Sequence, residues 1–417
     1  MNFNMSVNWK ANAALFLGAQ ALTIFGSQAV QYAILWHITI ESQSGTMMTI
    51  FSAALFLPMF FISPFAGVWA DRFNKKYIIN IADAAVAAAS LTIAIFLFLG
   101  FESVWMLLAC AVARSLGQGV QNPAVGAFIP EITPQSHLTK INGIQNGVQS
   151  ASMLAAPMAA GALISVAPLE TIFLLDVVTA AAGISILLFF VKSSPKNMDG
   201  VLSRNVNKKI DYLYDLKEGL KYINNHKFIL RLIIISIIFF IFISPAALLT
   251  TLQVTRNFGG EVWRLTVVEI FFLSGMIAGG GVIAAWGGFK NRVYTMAFST
   301  ALCGAGSIGL GIAPVFSVYL VIMCIMGFTI PLYNTPVMVL LQTKVKSSYM
   351  ARVLAVFNMV FSIMTPAGMI FFGPLADVVS IDALLIASGI IIAILSPLFI
   401  LSKSLREAGE SGFSKAG

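Results

Sequence analysis

Charged residues are scarce in this chain. Asp, Glu, Lys and Arg together make up only 10% of its 417 residues, while 58% are hydrophobic. A soluble domain carries about 25% charged residues, so this composition excludes an ordinary soluble protein and requires lipid as the solvent. The net charge of +8 therefore reports membrane topology, and we expect no nucleic-acid partner.

Cysteine and histidine are also rare, with three residues of each. Cys110, Cys303 and Cys324 all fall within apolar stretches, which excludes an extracellular disulfide framework. No two histidines have the spacing of metal ligands on a helix, and the sequence contains no G-x-x-x-x-G-K-[ST] loop for ATP. We therefore expect no metal, no cofactor and no enzymatic activity, and an energy source such as an ion gradient.

Long apolar runs dominate what is present. Twelve stretches reach the length of about 20 residues that a membrane-spanning helix needs. They cover residues 11–40, 46–68, 78–99, 105–127, 141–166, 170–191, 229–252, 265–286, 293–313, 316–339, 351–373 and 382–401. The sequence predicts an all-α integral membrane protein of twelve transmembrane helices.

One hydrophilic segment, residues 192–228, divides the predicted spans six and six. We predict an N-terminal bundle at 1–191, a cytoplasmic linker at 192–228, a C-terminal bundle at 229–401 and a cytoplasmic tail at 402–417. Apolar residues recur in the linker at three- and four-residue steps: Ile210, Leu213, Leu216, Leu220 and Ile223. This spacing indicates an amphipathic helix on the membrane surface; a plain charged linker is the alternative.

Basic residues favour one side of the predicted membrane. If both termini are cytoplasmic, all of the 25 Lys and Arg residues except Arg114, Arg256 and Arg264 lie on the cytoplasmic side. This asymmetry follows the positive-inside rule. We predict a multi-pass protein of the cell membrane with both termini in the cytoplasm.

The two bundles carry matching landmarks. Three pairs recur at a nearly constant spacing: Gly67 with Gly281, Pro123 with Pro336, and Pro157 with Pro366. Parallel repeats of this kind place a substrate between two bundles near the membrane midplane. The sequence therefore predicts two pseudo-symmetric six-helix bundles.

The loop after the second span is the most specific motif. Residues 67–76 read G-x-x-x-D-R-x-x-K-K, which resembles the loop between helices two and three of the major facilitator superfamily. The resemblance implies the major facilitator fold and a gating role for Gly67, Asp71, Arg72, Lys75 and Lys76. An ordinary cytoplasmic loop with topogenic Lys and Arg is the alternative.

The second copy of this loop departs from the pattern. Residues 281–292 keep Lys290 and Arg292 but have Gly287-Gly288 where the Asp-Arg pair would stand. A gating role for this copy is therefore in doubt.

Ionisable residues within the spans are candidates for proton coupling. Each costs about 2.5 to 3.5 kcal/mol at the centre of a membrane helix, so by default it faces a partner or a cavity. Here these residues are Asp83, Arg114, Asp176 and Glu269. Counting depth along the helices places Asp83 and Arg114 close enough to interact, and we predict that they pair. Asp176 and Glu269 are expected near the outer surface, where an outward-open state would hydrate them; an interfacial carboxylate that is hydrated in every state is the alternative.

Two further stretches resemble motifs of proton-coupled drug antiporters. Residues 114–119 resemble the helix-four motif R-x-x-q-G, with the Gln-Gly pair one place late, and imply a proton-coupling role for Arg114. Residues 155–161, with Pro157 and Gly161, resemble the helix-five antiporter motif, with Ala replacing several glycines. The alternatives are a permanent buried ion pair at Arg114 and ordinary small-residue packing in helix five.

Stripes of uncharged polar side chains indicate a hydrated cavity for an amphiphilic molecule. They are Gln20, Thr23, Ser27 and Gln31 in the first span, Gln145 and Gln149 in the fifth, and Asn358 and Ser362 in the eleventh. Hydrogen bonding between helices is the alternative role.

The pattern most resembles the macrolide-efflux-type drug:proton antiporters. Supporting stretches are Asn8-Trp9-Lys10, Ala113-Arg114-Ser115-Leu116-Gly117 and Leu138-Thr139-Lys140. The resemblance implies a monomeric exporter that binds a small molecule and protons within the lipid bilayer, working by rocker-switch alternating access. The alternatives are an exporter of an endogenous compound such as a siderophore, an importer on the same scaffold, and a lipid scramblase or assembly factor that transports no small molecule.

Overall fold

Helices account for all the regular structure in the computed structural model, which describes residues 9–192, 212–346 and 349–410, apart from the side chains of 71, 139, 212–217, 351 and 355. The predicted all-α class is confirmed for these residues. Asn8, Ile210, most of the predicted linker and residues 411–417 lie outside these ranges, as do the side chains of Asp71, Thr139, Leu213 and Leu216.

The helices follow one another with short connections. The first six are α1 (Trp9–Ser42), α2 (Gly45–Arg72), α3 (Lys75–Phe98), α4 (Val104–Ile132), α5 (Leu138–Val166) and α6 (Glu170–Ser185), which a π-helical turn, Ile186–Phe190, extends. The next nine are α7 (Tyr212–Asn225), α8 (Lys227–Leu248), α9 (Thr250–Asn257), α10 (Val262–Trp286), α11 (Arg292–Ile312), α12 (Phe316–Lys344), α13 (Met350–Leu375), α14 (Ile381–Leu401) and α15 (Lys403–Glu410).

Eleven of the twelve predicted spans correspond, within the described residues, to helices that are long and apolar enough to cross a membrane. The remaining predicted span is α4, which has 29 residues and carries the buried Arg114. The helix predicted within the linker is present as α7, in which Ile223 is buried and Leu220 is half exposed. Its position at a membrane surface stays a prediction.

The helices group into two compact units by their contacts. The first contains the described parts of Met1–Glu41 and Ile50–Asn207, and the second contains Ser42–Thr49 and the described parts of Lys208–Gly417. In the first unit α3 packs against α4 and α6, and in the second α11 packs against α12 and α14. In each unit, therefore, the third long helix packs against the fourth and the sixth.

Glycines set the close approach of helices in the second unit. A Cβ atom at Gly304 of α11 would lie 2.7 Å from the backbone nitrogen of Ala393 and 2.8 Å from the backbone oxygen of Gly389, both in α14. Gly275 and Gly279 of α10 meet the backbone of α12 in the same way. Since real side-chain atoms do not approach backbone this closely, these contacts depend on glycine.

Gly304→Ala should therefore destabilise the protein, by about 1–3 kcal/mol as expected for overpacking. Gly126→Ala in α4 is the matched control, because a Cβ atom there would meet nothing within 4 Å and Ala is the better helix former by up to about 1 kcal/mol. Thermal unfolding in detergent measures both variants. Equal melting temperatures for the two variants would contradict this account of the α11–α14 contact.

Candidate functional site

A buried ion pair lies at the centre of the first unit. Arg114 of α4 and Asp176 of α6 are joined by Nη1 and Oδ2 at 2.5 Å, and their side chains are 3% and 1% exposed. The Nη2 atom of Arg114 donates to the backbone oxygen of Ser27 at 2.9 Å. Two hydroxyls complete the site, because Ser90 donates to Asp176 Oδ2 at 2.7 Å and Ser27 donates to Oδ1 at 3.3 Å.

Small residues bring the four helices of the site together. A Cβ atom at Gly26 of α1 would lie 3.1 Å from Oδ1 of Asp176, and one at Gly183 of α6 would lie 3.0 Å from the backbone oxygen of Ala19. Gly117 of α4 likewise meets Val86 of α3. Because these positions lack side chains, α1, α3, α4 and α6 come close enough for one carboxylate to contact three of its neighbours.

The predicted Asp83–Arg114 pair was wrong. Arg114 pairs with Asp176, and Asp83 instead accepts a hydrogen bond of 2.6 Å from Nε2 of Gln121. The reason is position along α3: the Arg114 guanidinium reaches the level of Ser90, which lies about 10 Å further along the helix than Asp83 at 1.5 Å per residue. Counting depth from the sequence compared Cα positions and missed the direction of the arginine side chain.

Asp176 was expected near an outer surface, where water would reach it. In the structure it is fully buried, with 0% exposure. Glu269 is half-buried in α10 and belongs to the second unit. Of the four candidate coupling residues, the structure therefore brings two into direct contact.

Sequence reasoning missed Ser90 entirely. It occurs in an apolar stretch, seven residues after Asp83, and two helical turns place both on the same face of α3. That shared face was the available signal. The backbone oxygen of Ser27, by contrast, has no sequence signature.

Ser115, the residue after Arg114, contacts the backbone of α2. Its hydroxyl accepts from the backbone nitrogen of Met59 at 3.0 Å and donates to the backbone oxygen of Leu55 at 2.5 Å. These are two groups that a regular helix pairs with each other. They flank Pro58, which has no N–H of its own to donate. Ser115 thus connects the ion-pair site to α2 beside Pro58.

A small pocket opens beside Arg114 within the first unit. Its lining includes Gln31 and Gln118, which supply amide groups, and Phe51 and Leu55, which supply apolar surface. Gln31 was predicted to line a cavity, and here it lies next to the ion pair. The pocket therefore combines hydrogen-bonding and apolar groups at the edge of the charged site.

The other predicted cavity residues are spread over both units. Gln20 and Thr23 are buried, and the Thr23 hydroxyl donates to carbonyl oxygens of its own helix, so these bonds are not the bonding between helices considered as the alternative for this stripe. Gln145 and Gln149 lie in α5, half-buried and exposed respectively. Asn358 and Ser362 lie in α13 of the second unit. A role in binding stays a prediction for all of them.

Two lysines of the 67–76 motif, at the start of α3, hold the junction between α2 and α3. Lys75 forms an ion pair of 2.6 Å with Glu131 of α4. Lys76 donates to the backbone oxygens of Leu188 and Val191 at 2.9 and 2.8 Å, where cations suit the negative end of a helix. Gly67 is half-buried, Arg72 is exposed, and the side chain of Asp71 is outside the described atoms.

The second copy of this loop has a physical reason for lacking Asp-Arg. Gly287 and Gly288 both adopt left-handed backbone, with φ of 75° and 83°, and Gly287 ends α10 by donating to the backbone oxygen of Ile283. Side chains other than Gly rarely tolerate this conformation. An Asp-Arg pair at these positions would therefore strain the chain.

Helix five contains the two residues of its predicted motif in buried positions. Pro157 lies inside α5, and Gly161 lies one turn later. The structure places them but does not assign them a role in transport, which stays a prediction.

Two units of helices that are long and apolar enough to span a membrane, one of them containing a buried ion pair, define a polytopic membrane protein. The sequence profile of the Major Facilitator Superfamily matches residues 16–369. The chain belongs to this superfamily.

Several relatives of the chain are efflux proteins. It is 29% identical over 396 residues to macrolide efflux protein A of Streptococcus pyogenes, covering 94% of this chain and 96% of the relative. It is 22% identical over 413 residues to the multidrug efflux pump Tap of Mycobacterium tuberculosis, covering 95% and 94% of the two chains. The chain is thus a superfamily transporter related to macrolide and multidrug efflux pumps.

Solved structures support the fold. A bacterial homologue of the human lysosomal transporter Spinster, in an inward-facing and unoccupied conformation, superposes with a TM-score of 0.68 at 14% identity. The alignment covers 97% of this chain and 99% of that one. At this identity the likeness bears on the fold alone.

Because Arg114 and Asp176 form a buried ion pair, we expect the stability losses caused by replacing them to be strongly non-additive. Asp176→Asn or Arg114→Gln alone should cost about 3–5 kcal/mol of stability, because each leaves a buried charge without its partner. The double variant should lose much less than the sum of the two. Unfolding titrations in mixed micelles provide the double-mutant cycle. Additive losses would show that the two charges do not stabilise each other.

Proposed function

We propose that the chain is a secondary active exporter of lipophilic drugs or amphiphilic metabolites of the macrolide type, driven by proton antiport. The observation that carries this proposal is the buried Arg114–Asp176 pair. An uncharged pore or a purely structural bundle has no need of two charges that are expensive to bury. A carboxylate that can exchange one proton gives those charges a use.

The proposed coupling step involves one proton at Asp176. While the carboxylate is ionised, it balances the guanidinium of Arg114 and accepts from Ser90 and Ser27. Protonation removes that negative charge and leaves a buried cation held by neutral groups, which is unfavourable by several kcal/mol. The helices that carry the pair then rearrange to rehydrate or re-pair Arg114. Proton binding is in this way converted into conformational change.

In the proposal, Ser115 transmits this conformational change from α4 to α2. It follows Arg114 directly and holds two backbone groups of α2 beside Pro58. A displacement of α4 at the ion pair therefore acts on α2 beside Pro58. In the proposal, α2 transmits the movement to the gating loop at its C-terminal end, where Asp71 and Arg72 help to close the cytoplasmic side.

The substrate class rests on the pocket and on the relatives. Gln31 and Gln118 offer amides beside the apolar side chains of Phe51 and Leu55, the mixture of polar and apolar groups that ligand sites use. The pocket has free space of about 10 Å³, so in the proposal it widens before it admits a macrolide. Relatives that span nearly the whole chain are named as macrolide and multidrug efflux proteins. We accordingly propose a cell-membrane exporter with both termini cytoplasmic, in which bundles 1–191 and 229–401 rock around a central site.

Purified protein in proteoliposomes with an acidic lumen tests the proposal. Molecules inserted inside-out should accumulate a labelled macrolide in the lumen, because protons leaving the lumen drive the macrolide in. Asp176→Asn should accumulate no more than protein-free vesicles with the same pH gradient, since Asn binds no proton. It should still exchange labelled for unlabelled macrolide. Gradient-driven accumulation by this variant would refute Asp176 as the coupling group.

Asp83→Asn is the matched control. Asp83 is a second buried carboxylate of the same unit, and its bond from Gln121 survives replacement by the Asn oxygen. Its variant should accumulate macrolide as the parent does. If Asp83→Asn fails and Asp176→Asn works, the coupling carboxylate is Asp83. The double variant Arg114→Gln with Asp176→Asn shows whether any loss reflects an unpaired charge alone.

A further inference from the structure

The first turn of α2 is capped by a carboxylate from the far end of the sequence. Asp377 follows α13 and accepts from the backbone nitrogens of Gly45 and Thr46 at 2.6 and 3.0 Å. It also accepts from the hydroxyls of Ser44 and Thr46 at 2.9 and 2.7 Å. By its contacts, the segment Ser42–Thr49 belongs to the second unit, although α2 from Ile50 onward belongs to the first.

Helix geometry explains why a carboxylate suits this position. The first N–H groups of a helix have no partner within the helix, and the helix dipole makes that end positive. A local Ser or Asp often caps one of them, and Ser44 does so for the backbone nitrogen of Met47 at 3.4 Å. Here the cap for Gly45 and Thr46 comes from a residue 332 and 331 positions away, so the capping holds two distant parts of the chain together.

A pair of glycines brings the two segments into contact. A Cβ atom at Gly45 would overlap the backbone oxygen of Gly373, and one at Gly373 would overlap Oγ1 of Thr49. Thr49 also donates to the backbone oxygen of Met369 at 2.9 Å. The end of α13 and the start of α2 are therefore packed backbone against backbone.

Arg256, at the end of α9, fixes the turn that precedes α2. It donates to the backbone oxygens of Gln43 and Ala376 and lies 3.5 Å from Oδ1 of Asp377. Gln43 has a φ of 48°, the only left-handed backbone among the non-glycine residues that the structure describes. A bulky residue in this conformation needs support from its surroundings, and Arg256 supplies it through the carbonyl group.

Asp377 stays ionised over the ordinary range of pH. Partial burial raises its pKa, but the hydrogen bonds from Thr46, Gly45 and Ser44 outweigh burial, so the pKa is lower than usual for Asp. Arg256 is the charged group that faces it. The contact is therefore complete at neutral pH and is lost only when acid drives the pH below the ordinary range of Asp. Mild acidification does not open it.

We propose that Asp377, Arg256 and the Gly45–Gly373 contact form a latch that holds the start of α2 closed on α13 and must release it during each transport cycle. We call these residues the α2 latch. It lies at the opposite end of α2 from the gating loop, about 40 Å away for a helix of 28 residues. The α2 latch depends on the alternating access that we propose for export. In this scheme Asp377 closes the protein at the start of α2.

Thiol labelling measures release of the latch without any substrate. Met369 is fully buried beside the latch, so Met369→Cys, in a background with the three native cysteines replaced by Ala, reports exposure to a water-soluble thiol reagent. Asp377→Asn should speed labelling at least about tenfold, equivalent to about 1.4 kcal/mol. Ser44→Ala with Thr46→Val, which keeps the charge of Asp377, should speed it less. Equal labelling rates with and without Asp377→Asn would overturn the latch.

Glu102→Gln is the matched control for charge. Glu102 is another exposed carboxylate, in the turn between α3 and α4, and its replacement should leave labelling of the thiol introduced by Met369→Cys unchanged. A Glu102→Gln variant that labels as fast as Asp377→Asn would attribute the effect to general loss of charge and would also overturn the latch.

A cross-link tests the latch if Asp377→Asn does not fold. The Ser44 hydroxyl and Asp377 Oδ2 are 2.9 Å apart, so Ser44→Cys with Asp377→Cys should form a disulfide under oxidation. The oxidised protein should lose macrolide transport, and reductant should restore it. Transport that continues through the cross-link refutes the latch. An absence of macrolide transport in the cysteine-free parent refutes the export proposal instead and leaves the labelling result standing.

Discussion

The rest of the first unit depends on one constraint, which is that Arg114 and Asp176 have to meet inside apolar surroundings. Neither charge is tolerable alone at that depth. Their meeting requires α4 and α6 to come close to α1 and α3, because the partners of the pair lie on those helices. Gly26, Gly117 and Gly183 then become necessary, since a side chain at any of them would separate the helices. The need to pair these two charges therefore determines how closely the helices of the first unit pack.

The fold followed from the sequence because apolar length is a direct physical signal. The predicted spans correspond to observed helices, and the 67–76 motif spans the junction of α2 and α3, with Phe73 and Asn74 between the two helices. The site was only partly predictable. Arg114 and Asp176 could be singled out because burying a charge in lipid is costly, but their pairing depends on side-chain direction and helix rotation. The same limit applies to Asp377, whose role requires two segments that are adjacent only in space.

The duplicated halves differ where the backbone differs. Both units pack their third long helix on the fourth and the sixth, which agrees with the matched prolines in the sequence. The loops after the second helix of each half are not equivalent, because Gly287 and Gly288 occupy left-handed backbone conformations that residues other than Gly rarely adopt. The first loop instead fastens its lysines to Glu131 and to the end of the π-helical turn. The two halves therefore share their helix packing but not the charged loop.

The hydroxyl of Ser115 supports α2 at the point where Pro58 weakens the helix. Leu55 and Met59 share that hydroxyl beside a proline that offers no bond of its own. Because the Ser115 hydroxyl bonds to both backbone groups, a bend beside Pro58 would leave neither of them without a polar partner in lipid. If α2 bends at Pro58, its two parts tilt by different amounts, and a motion that starts at one end of the helix changes direction before it arrives at the other.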